Sequence, residues 1–260
     1  MGSASTNFDA AAEIFADYGA SLRGYVRYQL IRRNLEAVLS KKPLRILDAG
    51  GGSGPDAAWL SELGHEVVLV EPSAEQRNYA ERRFNFFLQP EQRQRITIFP
   101  RSIAHLPADQ TDFDVALIHA VAMYQPKPAD FIATVAQRVR PGGLLSVVEK
   151  GYYGTVGRVI REENFDELQQ LERNQRSINK VAHEVYAFKP EELQVILEAL
   201  PAKIIAWSGI RLLTDTLDTQ VAMMESSEVQ HLVDLEAEFG QHPDLRAGAQ
   251  LLHFLARKSH

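Results

Sequence analysis

The feature that most constrains this chain is a glycine-rich turn at residues 48–54, which reads Asp-Ala-Gly-Gly-Gly-Ser-Gly. It follows a short apolar run at residues 44–48 and precedes a helical pattern at residues 57–63. Glycine allows the backbone to turn sharply after a strand and to approach a ligand without an intervening Cβ atom. The N-terminus of the following helix adds N–H donors. The turn therefore predicts a strand–loop–helix unit with a ligand-binding loop.

Strand and helix patterns alternate after this turn. Patterns typical of buried strands cover residues 66–71, 96–99, 114–119 and 144–149, and helical patterns cover residues 75–87 and 128–139. Such alternation is typical of a parallel sheet with helices on both faces. The Arg-Pro-Gly-Gly segment at residues 140–143 is predicted to be a turn, because proline stops the preceding helix and glycine permits the change of direction.

The remaining segments predict the rest of the architecture. Helical spacing indicates two helices within residues 7–39, and residues 151–187, which lack strand signals, indicate a helical cap. A helix at residues 190–200 and strands at residues 203–213 and 250–256 follow, with an acidic, mostly helical connection between the two strands. We therefore expect an α/β fold: a doubly wound, mostly parallel seven-stranded sheet with N-terminal helices and a helical cap insertion.

Composition excludes several classes of protein. The chain has no cysteine, so disulfides, thiolate metal sites and a cysteine nucleophile are excluded. No apolar run approaches the roughly 20 residues that span a bilayer. Residues 1–6 are small and polar, unlike a secretory signal. We expect a cytoplasmic protein without membrane contact.

The charge of the chain is unevenly distributed. Its formal net charge is −6, yet residues 20–45 carry seven lysines and arginines against the single acid Glu36. Residues 215–245 carry eight acids and no lysine or arginine. This distribution predicts two oppositely charged faces, and the local field, more than the net charge, decides whether nucleic acid binds.

The glycine turn resembles that of the S-adenosylmethionine-dependent methyltransferase superfamily, since it fits an acid-x-Gly-x-Gly-x-Gly pattern. Glu71 ends the second predicted strand, where a carboxylate can accept hydrogen bonds from both ribose hydroxyls. A dinucleotide-binding dehydrogenase would need a third glycine where this chain has Pro55. The resemblance implies S-adenosyl-L-methionine as cofactor, held by Asp48, Gly50, Gly52, Gly54, Glu71 and Pro72.

Beyond this core, the chain resembles the bacterial tRNA 5-carboxymethoxyuridine methyltransferases, which esterify a carboxylate on a modified wobble uridine. The likeness runs almost end to end, through residues 7–9, 27, 48–52, 118–121, 140–143 and 209–211. It implies that Arg27 holds the methionine carboxylate and that Ser102 and Ile103 frame the adenine. It also implies that His119 lines the cofactor site and that Arg211 faces the substrate acid, which makes these two the candidate catalytic residues.

The acceptor remains open between tRNA and a small metabolite. Residues 173–180 replace a strongly basic stretch of that family, and the fifth strand ends in Glu149 and Lys150 instead of an uncharged segment. A small metabolite would need an enclosed pocket under the cap. A non-catalytic cofactor-binding protein is the third interpretation, which would need a blocked pocket, and nothing in the glycine turn indicates one.

The chemistry of the acceptor atom follows partly from the same residues. His119-Ala120-Val121 replaces the Asn/Asp-Pro-Pro-aromatic tetrad of enzymes that methylate exocyclic base amines, which disfavours that subclass. The acidic metal-binding set of catechol-type O-methyltransferases is not apparent, so no metal is expected. A carboxylate, with a reference pKa near about 4, needs no general base. A phenol or amine would need one, for which His119, Glu149 and the tyrosines are candidates.

These predictions describe one methyltransferase domain over residues 1–260. Residues 1–42 are expected to be an N-terminal helical lid, and residues 43–150 the cofactor-binding core. Residues 151–190 are expected to be the cap, and residues 191–260 the C-terminal part of the core with a helical insertion.

Overall fold

The computed structural model describes residues 18–179, 183–217 and 219–259. Its strands are β1 (Arg45–Ala49), β2 (Glu66–Val70), β3 (Ile96–Phe99), β4 (Phe113–His119), β5 (Val139–Lys150), β6 (Arg176–Ile178), β7 (Glu184–Tyr186), β8 (Ala202–Ile210) and β9 (Leu251–Lys258). Its α-helices are α1 (Leu22–Glu36), α2 (Pro55–Glu62), α3 (Ala74–Phe87), α4 (Pro90–Arg93), α5 (Pro128–Ala136), α6 (Tyr152–Arg161), α7 (Phe165–Asn174), α8 (Pro190–Glu198) and α9 (Ser226–Gln241). The first predicted N-terminal helix and residues 7–9 lie outside the described residues.

Seven strands form one sheet in the order β3-β2-β1-β4-β5-β9-β8. The strands from β3 to β5 are parallel, and β9 runs antiparallel to both of its neighbours. The predicted doubly wound, mostly parallel sheet is confirmed. The strand order reverses between β1 and β4, and in such sheets ligands bind in the crevice at the carboxyl ends of the strands there. The glycine turn follows β1 at this point.

Helices cover both faces because the central strands are apolar on both sides. On one face α1, α2, α3 and α9 pack on a core that includes Ile46, Leu69 and Leu117. On the other face α5 and α8 pack on a core that includes Leu47, Ala116 and Ile118. Among the described residues, no helix is both long and apolar enough to cross a membrane.

The cap is not purely helical, which corrects the prediction for residues 151–187. Alongside α6 and α7 it contains β6 and β7, which pair as a small antiparallel sheet. Strands of three residues are too short to show an alternating pattern, which is why the sequence did not reveal them. Arg158 ties the cap together, because it donates to Glu162, Glu167 and Ser177.

Three predicted features of the core are also corrected. The strand at residues 203–213 ends at Ile210, and the helix at residues 128–139 ends at Ala136. Residues 140–143 lie inside β5 and are not a separate turn, although Gly142 has a φ of 74° and the pairing with β4 shifts register there. The glycines therefore bend a strand that has already begun.

The predicted separation into two charged faces is wrong. The basic α1 packs against the acidic α9, and Arg33 forms an ion pair of 3.0 Å with Asp234. Lys41, Lys42 and Arg45 lie at the start of β1, at the amino edge of the sheet. The two charged stretches are thus neighbours that partly compensate each other.

Candidate active site

A cavity of about 1540 Å³ opens at the carboxyl edge of the sheet. Its wall is built from α1, the glycine turn, the ends of β2, β4 and β5, the cap and the segment after β8. The predicted site residues that line it are Arg27, Asp48, Gly50, Gly52, Glu71, Pro72, Ser102, Ile103, His119 and Arg211. The fold thereby brings predicted site residues that lie between positions 27 and 211 of the sequence to one cavity.

Gly54 is the predicted site residue that does not reach the cavity. It precedes α2 with a φ of 71°, and a Cβ atom there would lie 2.4 Å from the Phe84 ring. Gly52, in contrast, lines the cavity with a φ of 57°, and a Cβ atom there would meet nothing closer than Gln76 Oε1 at 3.5 Å. Gly52 thus keeps open space beside the loop, while Gly54 permits the packing of α2 on α3.

Glu71 is fixed beside the glycine turn by the backbone. Its Oε2 accepts from the Gly52 N–H at 3.0 Å, and its Oε1 accepts from the Ser73 N–H at 2.7 Å. These contacts place the carboxylate at the end of β2, next to the turn. The position matches the one that the sequence predicts for an acceptor of ribose hydroxyls.

Buried polar atoms without a partner mark the cofactor side of the cavity. Among the described residues, Asp48 Oδ2, Asp56 Oδ1 and Gln76 Oε1 are buried acceptors without a hydrogen-bond partner. Arg27 Nε is a buried donor in the same situation. Buried polar groups are normally paired, and all four of these residues line the cavity, which indicates a ligand site beside them.

The amino-acid end of S-adenosylmethionine fits these atoms by its chemistry. Its ammonium supplies donors for carboxylates, and its carboxylate supplies acceptors for Arg27. Burial, together with the charges of Asp56 and Glu71, raises the pKa of Asp48 well above its ordinary value. A cation beside Asp48 would counter that shift. The residues present therefore fit the cofactor.

Arg27 is held over the cavity by aromatic rings. Its guanidinium lies 5.9 Å from the Tyr18 ring centre and 5.3 Å from the Tyr28 ring centre. A guanidinium within about 6 Å of a ring face is attracted by the ring. These rings orient Arg27 on α1 without using its Nε.

A chain of hydrogen bonds crosses the sheet from the cavity. His119 Nδ1 lies 2.8 Å from Asp56 Oδ2, and His119 Nε2 lies 2.8 Å from Ser146 Oγ. Ser146 Oγ lies 2.9 Å from His253 Nε2, and His253 Nδ1 lies 3.1 Å from the amide nitrogen of Asn34. Every atom of this chain has a partner when each donor is directed from Asn34 towards Asp56.

This chain determines what His119 and Asp56 can do. Both ring nitrogens of His119 are engaged, so the ring has no nitrogen left to take a proton from an acceptor. Although burial opposes ionisation, the hydrogen bond from His119 and the positive charges of Arg27 and Arg32 lower the pKa of Asp56. The result is an ionised Asp56 whose Oδ1 lacks a partner and which lines the cavity. The sequence analysis missed Asp56, although an acid in the first turn after a glycine loop was a usable signal.

Arg211 lies in the cavity wall in an unusual conformation. Its φ is 62°, a region that costs a non-glycine residue about 1–3 kcal/mol. Its Nη1 donates to the Tyr18 hydroxyl at 2.9 Å, and its Nη2 pairs with Asp215. Its Nε is buried without a partner among the described residues. The contacts to Tyr18 and Asp215 hold Arg211 in the cavity wall in spite of this cost, with Nε unsatisfied.

Glu149, another candidate base, has a structural role. Glu149 is buried and accepts from the backbone N–H groups of Val121, Ala122 and Met123, so it fixes the loop after β4. Burial raises the pKa of Glu149 to about 8. Glu149 is not among the residues that line the cavity, whereas Lys150, the next residue, lines it.

Comparison with known proteins agrees with this architecture. A family model described as a methyltransferase domain matches residues 22–200. The tRNA 5-carboxymethoxyuridine methyltransferase of Escherichia coli strain K12 is 29% identical to this chain, over 97% of this chain and 96% of that protein.

Solved structures share the fold at lower sequence identity. The 1,6-didemethyltoxoflavin-N1-methyltransferase of Burkholderia thailandensis, solved with 1,6-didemethyltoxoflavin and S-adenosylhomocysteine, superposes with a TM-score of 0.57 at 18% identity, over 98% of this chain and 87% of that one. A methyltransferase of Methanosarcina mazei superposes with a TM-score of 0.60 at 17% identity, over 87% of this chain and 97% of that one.

Proposed function

Because the chain belongs to the family of S-adenosylmethionine-dependent methyltransferases, we propose that it methylates a carboxylate, with 5-carboxymethoxyuridine of tRNA as the first candidate acceptor. The observation that carries this proposal is the near full-length similarity to the E. coli enzyme of that name, joined to a partly buried arginine, Arg211, in the cavity wall.

Each part of the cavity has a role in this proposal. Arg27 holds the methionine carboxylate, and Asp48 and Asp56 hold the ammonium. Glu71 and the backbone at Gly50, Gly52 and Pro72 take the ribose side. Ser102 and Ile103 frame the adenine; Ile103 is buried, and Ser102 is fixed by a 2.8 Å contact between its Oγ and His105 Nδ1. His119 positions Asp56 through the hydrogen-bond chain.

The reaction mainly requires that the acceptor be aligned with the methyl group of the cofactor. When bound, S-adenosylmethionine supplies a methyl group that its sulfonium already activates. An acceptor carboxylate is ionised at neutral pH, so the protein needs no general base. Arg211 orients the carboxylate, and its pairing with Asp215 limits how strongly it withdraws charge from the nucleophile. Such positioning can lower a barrier by about 7–11 kcal/mol in favourable cases.

A small acid is the second candidate acceptor, and the charge distribution favours it. Arg33 is paired with Asp234, and Lys41 and Lys42 lie at the edge of the sheet opposite to the cavity. In the cap, Arg158 is engaged by Glu162 and Glu167. Of the basic stretch, Arg23 and Arg27 line the cavity, whereas Arg33, Lys41 and Lys42 do not extend a path for phosphates into it.

The test is methyl transfer from labelled cofactor to total RNA and, separately, to a small-molecule extract. We expect label in tRNA that mild alkali releases, since a methyl ester hydrolyses. Arg211→Ala should lose most activity, and Arg211→Lys should retain part of it, because lysine keeps the charge but not the planar fork. Label confined to the extract would favour the small acid, and an alkali-stable product would reject carboxylate methylation.

A further inference from the structure

The acceptor side of the cavity contains a second cation, Lys150, which donates to a neutral amide. Lys150 ends β5, is partly buried and lines the cavity. Its Nζ donates to Gln250 Oε1 at 2.7 Å. Gln250 is buried and is itself held by the Gly154 carbonyl. The amide thus positions the lysine without neutralising it.

The arginines around Lys150 differ from it in having acidic partners. Arg211 pairs with Asp215, and Arg158 pairs with Glu162 and Glu167. Within residues 18–179, 183–217 and 219–259, Lys150 forms no ion pair. In this part of the chain, no carboxylate therefore contacts the Lys150 amino group directly.

The charged groups that face Lys150 make its protonation sensitive to a ligand. Burial lowers the pKa of Lys150 to about 7, and the positive charges of Arg211 and Arg158 add to this effect. Asp215 and Glu167 oppose it without cancelling it. An anion beside Nζ would favour the charged form, and the charged form would favour the anion.

We propose that Lys150 binds the anionic group of the methyl acceptor together with Arg211 and so selects carboxylate-bearing acceptors over neutral ones. This inference rests on the proposed function, since it concerns the acceptor of that same reaction. It assigns Lys150 to acceptor binding and leaves the chemical step unassisted by it.

Kinetics of three variants test this role. Lys150→Met removes the charge but keeps the length, Lys150→Arg keeps a charge, and Lys203→Met makes the matched change at an exposed position of β8. Loss of a charge-assisted hydrogen bond corresponds to about tenfold or more in affinity. We expect Lys150→Met to raise KM for the acceptor at least tenfold, with kcat within about threefold and an unchanged Kd for S-adenosylhomocysteine.

The pH dependence of KM for the acceptor gives a second test of the role of Lys150. In the wild type KM should rise as pH increases through about 7, because the neutral amine no longer attracts the anion. In Lys150→Arg it should stay low through that range. Equal KM values for Lys150→Met and Lys203→Met would overturn the proposal. So would a collapse of kcat in both Lys150 variants with KM unchanged, which would identify a base.

A binding readout separates this inference from the proposed function. Lysine side chains labelled by reductive 13C-methylation are titrated by NMR, and the signal missing in Lys150→Met identifies Lys150. With S-adenosylhomocysteine present, 5-carboxymethoxyuridine should raise the titration midpoint of Lys150, whereas the uncharged 5-methoxyuridine should not. A raised midpoint without methyl transfer would support the lysine site and reject the proposed function; an unchanged midpoint with normal transfer would reject the lysine site alone.

Discussion

Four residues with a positive φ line the cavity. Gly50 and Gly52 adopt this conformation, and so do two residues that carry a Cβ atom, Ala120 with a φ of 60° and Arg211 with a φ of 62°. All four line the cavity. A non-glycine residue in this region costs about 1–3 kcal/mol, so the surrounding packing must hold Ala120 and Arg211 in place. Of the five non-glycine residues with a positive φ among the described residues, these two line the cavity, whereas Asp112, Glu163 and Gln175 do not.

Gly52→Val should abolish cofactor binding without unfolding the protein. The new side chain would extend into the open space beside the loop, where Gly52 has no close neighbour. Gly64→Val is the matched control, because Gly64 has a φ of 93°, a Cβ atom added there would have no neighbour within 4 Å, and the residue lies away from the cavity. Calorimetry with S-adenosylhomocysteine should show binding only in the control.

Both glycine variants should melt several degrees below the wild type, since each places a branched residue at positive φ and about 1 kcal/mol shifts Tm by about 2–4 °C in a protein of this size. If Gly52→Val binds the cofactor as tightly as Gly64→Val does, the glycine turn is not the binding loop.

At the scale of elements, the chain from Asn34 to Asp56 connects α1, β9, β5, β4 and α2. Its contacts supply hydrogen-bond partners to polar groups that the sheet shields from water. Without a partner, each such buried group would cost about 1–3 kcal/mol. Burial lowers the pKa of His253 to about 3, so this ring is neutral in the folded protein. The same burial makes the fold sensitive to acid.

His253→Gln should flatten the acid dependence of stability. Unfolded histidine titrates near about 6.5, so between about pH 6.5 and 3 the unfolded state binds a proton that the folded state excludes. The free energy of unfolding of the wild type therefore falls as pH falls, with about 2 kcal/mol lost from this group between pH 7 and pH 5. In His253→Gln that contribution should be absent.

Urea denaturation at several pH values measures this difference. His231→Gln, at an exposed position of α9, is the control and should follow the wild type. Parallel pH profiles for His253→Gln and the wild type would show that His253 is not the buried neutral group.

On the scale of the whole molecule, different pairs of exposed cations lie at the carboxyl ends and at the amino ends of the strands. Arg101 and Arg161 are exposed at the mouth of the cavity. Lys41 and Lys42 are exposed at the opposite edge. A tRNA whose wobble base enters the cavity would meet the first pair and not the second.

Salt dependence of catalytic efficiency should distinguish these surfaces. Each neutralised phosphate contributes about −0.7 to −0.9 to the slope of log affinity against log salt concentration. With tRNA as acceptor, Arg101→Gln/Arg161→Gln should reduce the magnitude of the slope by about 1.4–1.8. Lys41→Gln/Lys42→Gln should leave it unchanged. A small acid should show weak dependence in all cases, because a buried contact is screened little.

The opposite pattern, with the slope reduced only by Lys41→Gln/Lys42→Gln, would show that nucleic acid crosses the amino edge of the sheet. The cavity would then not be the place where a tRNA acceptor docks.

Much of the fold was readable from local sequence patterns. Apolar runs of four to six residues predict β1 to β5, and longer runs predict β8 and β9, because each pattern is contained within one element. The same locality explains the glycine turn and Glu71, whose roles depend on their place at strand ends. The sequence pattern did not predict the β6–β7 pair, because its strands are too short to show an alternating period.

Tertiary structure alone decided which side chains meet. Asp56 reaches His119 across 63 positions of sequence, and Ser146 reaches His253 across 107. Whether a cation has an acidic partner likewise depends on packing. Arg33 forms an ion pair with Asp234 on another helix, whereas Lys150 donates to an amide oxygen. Local patterns report burial and periodicity, whereas partnership depends on distances between elements that the sequence does not contain.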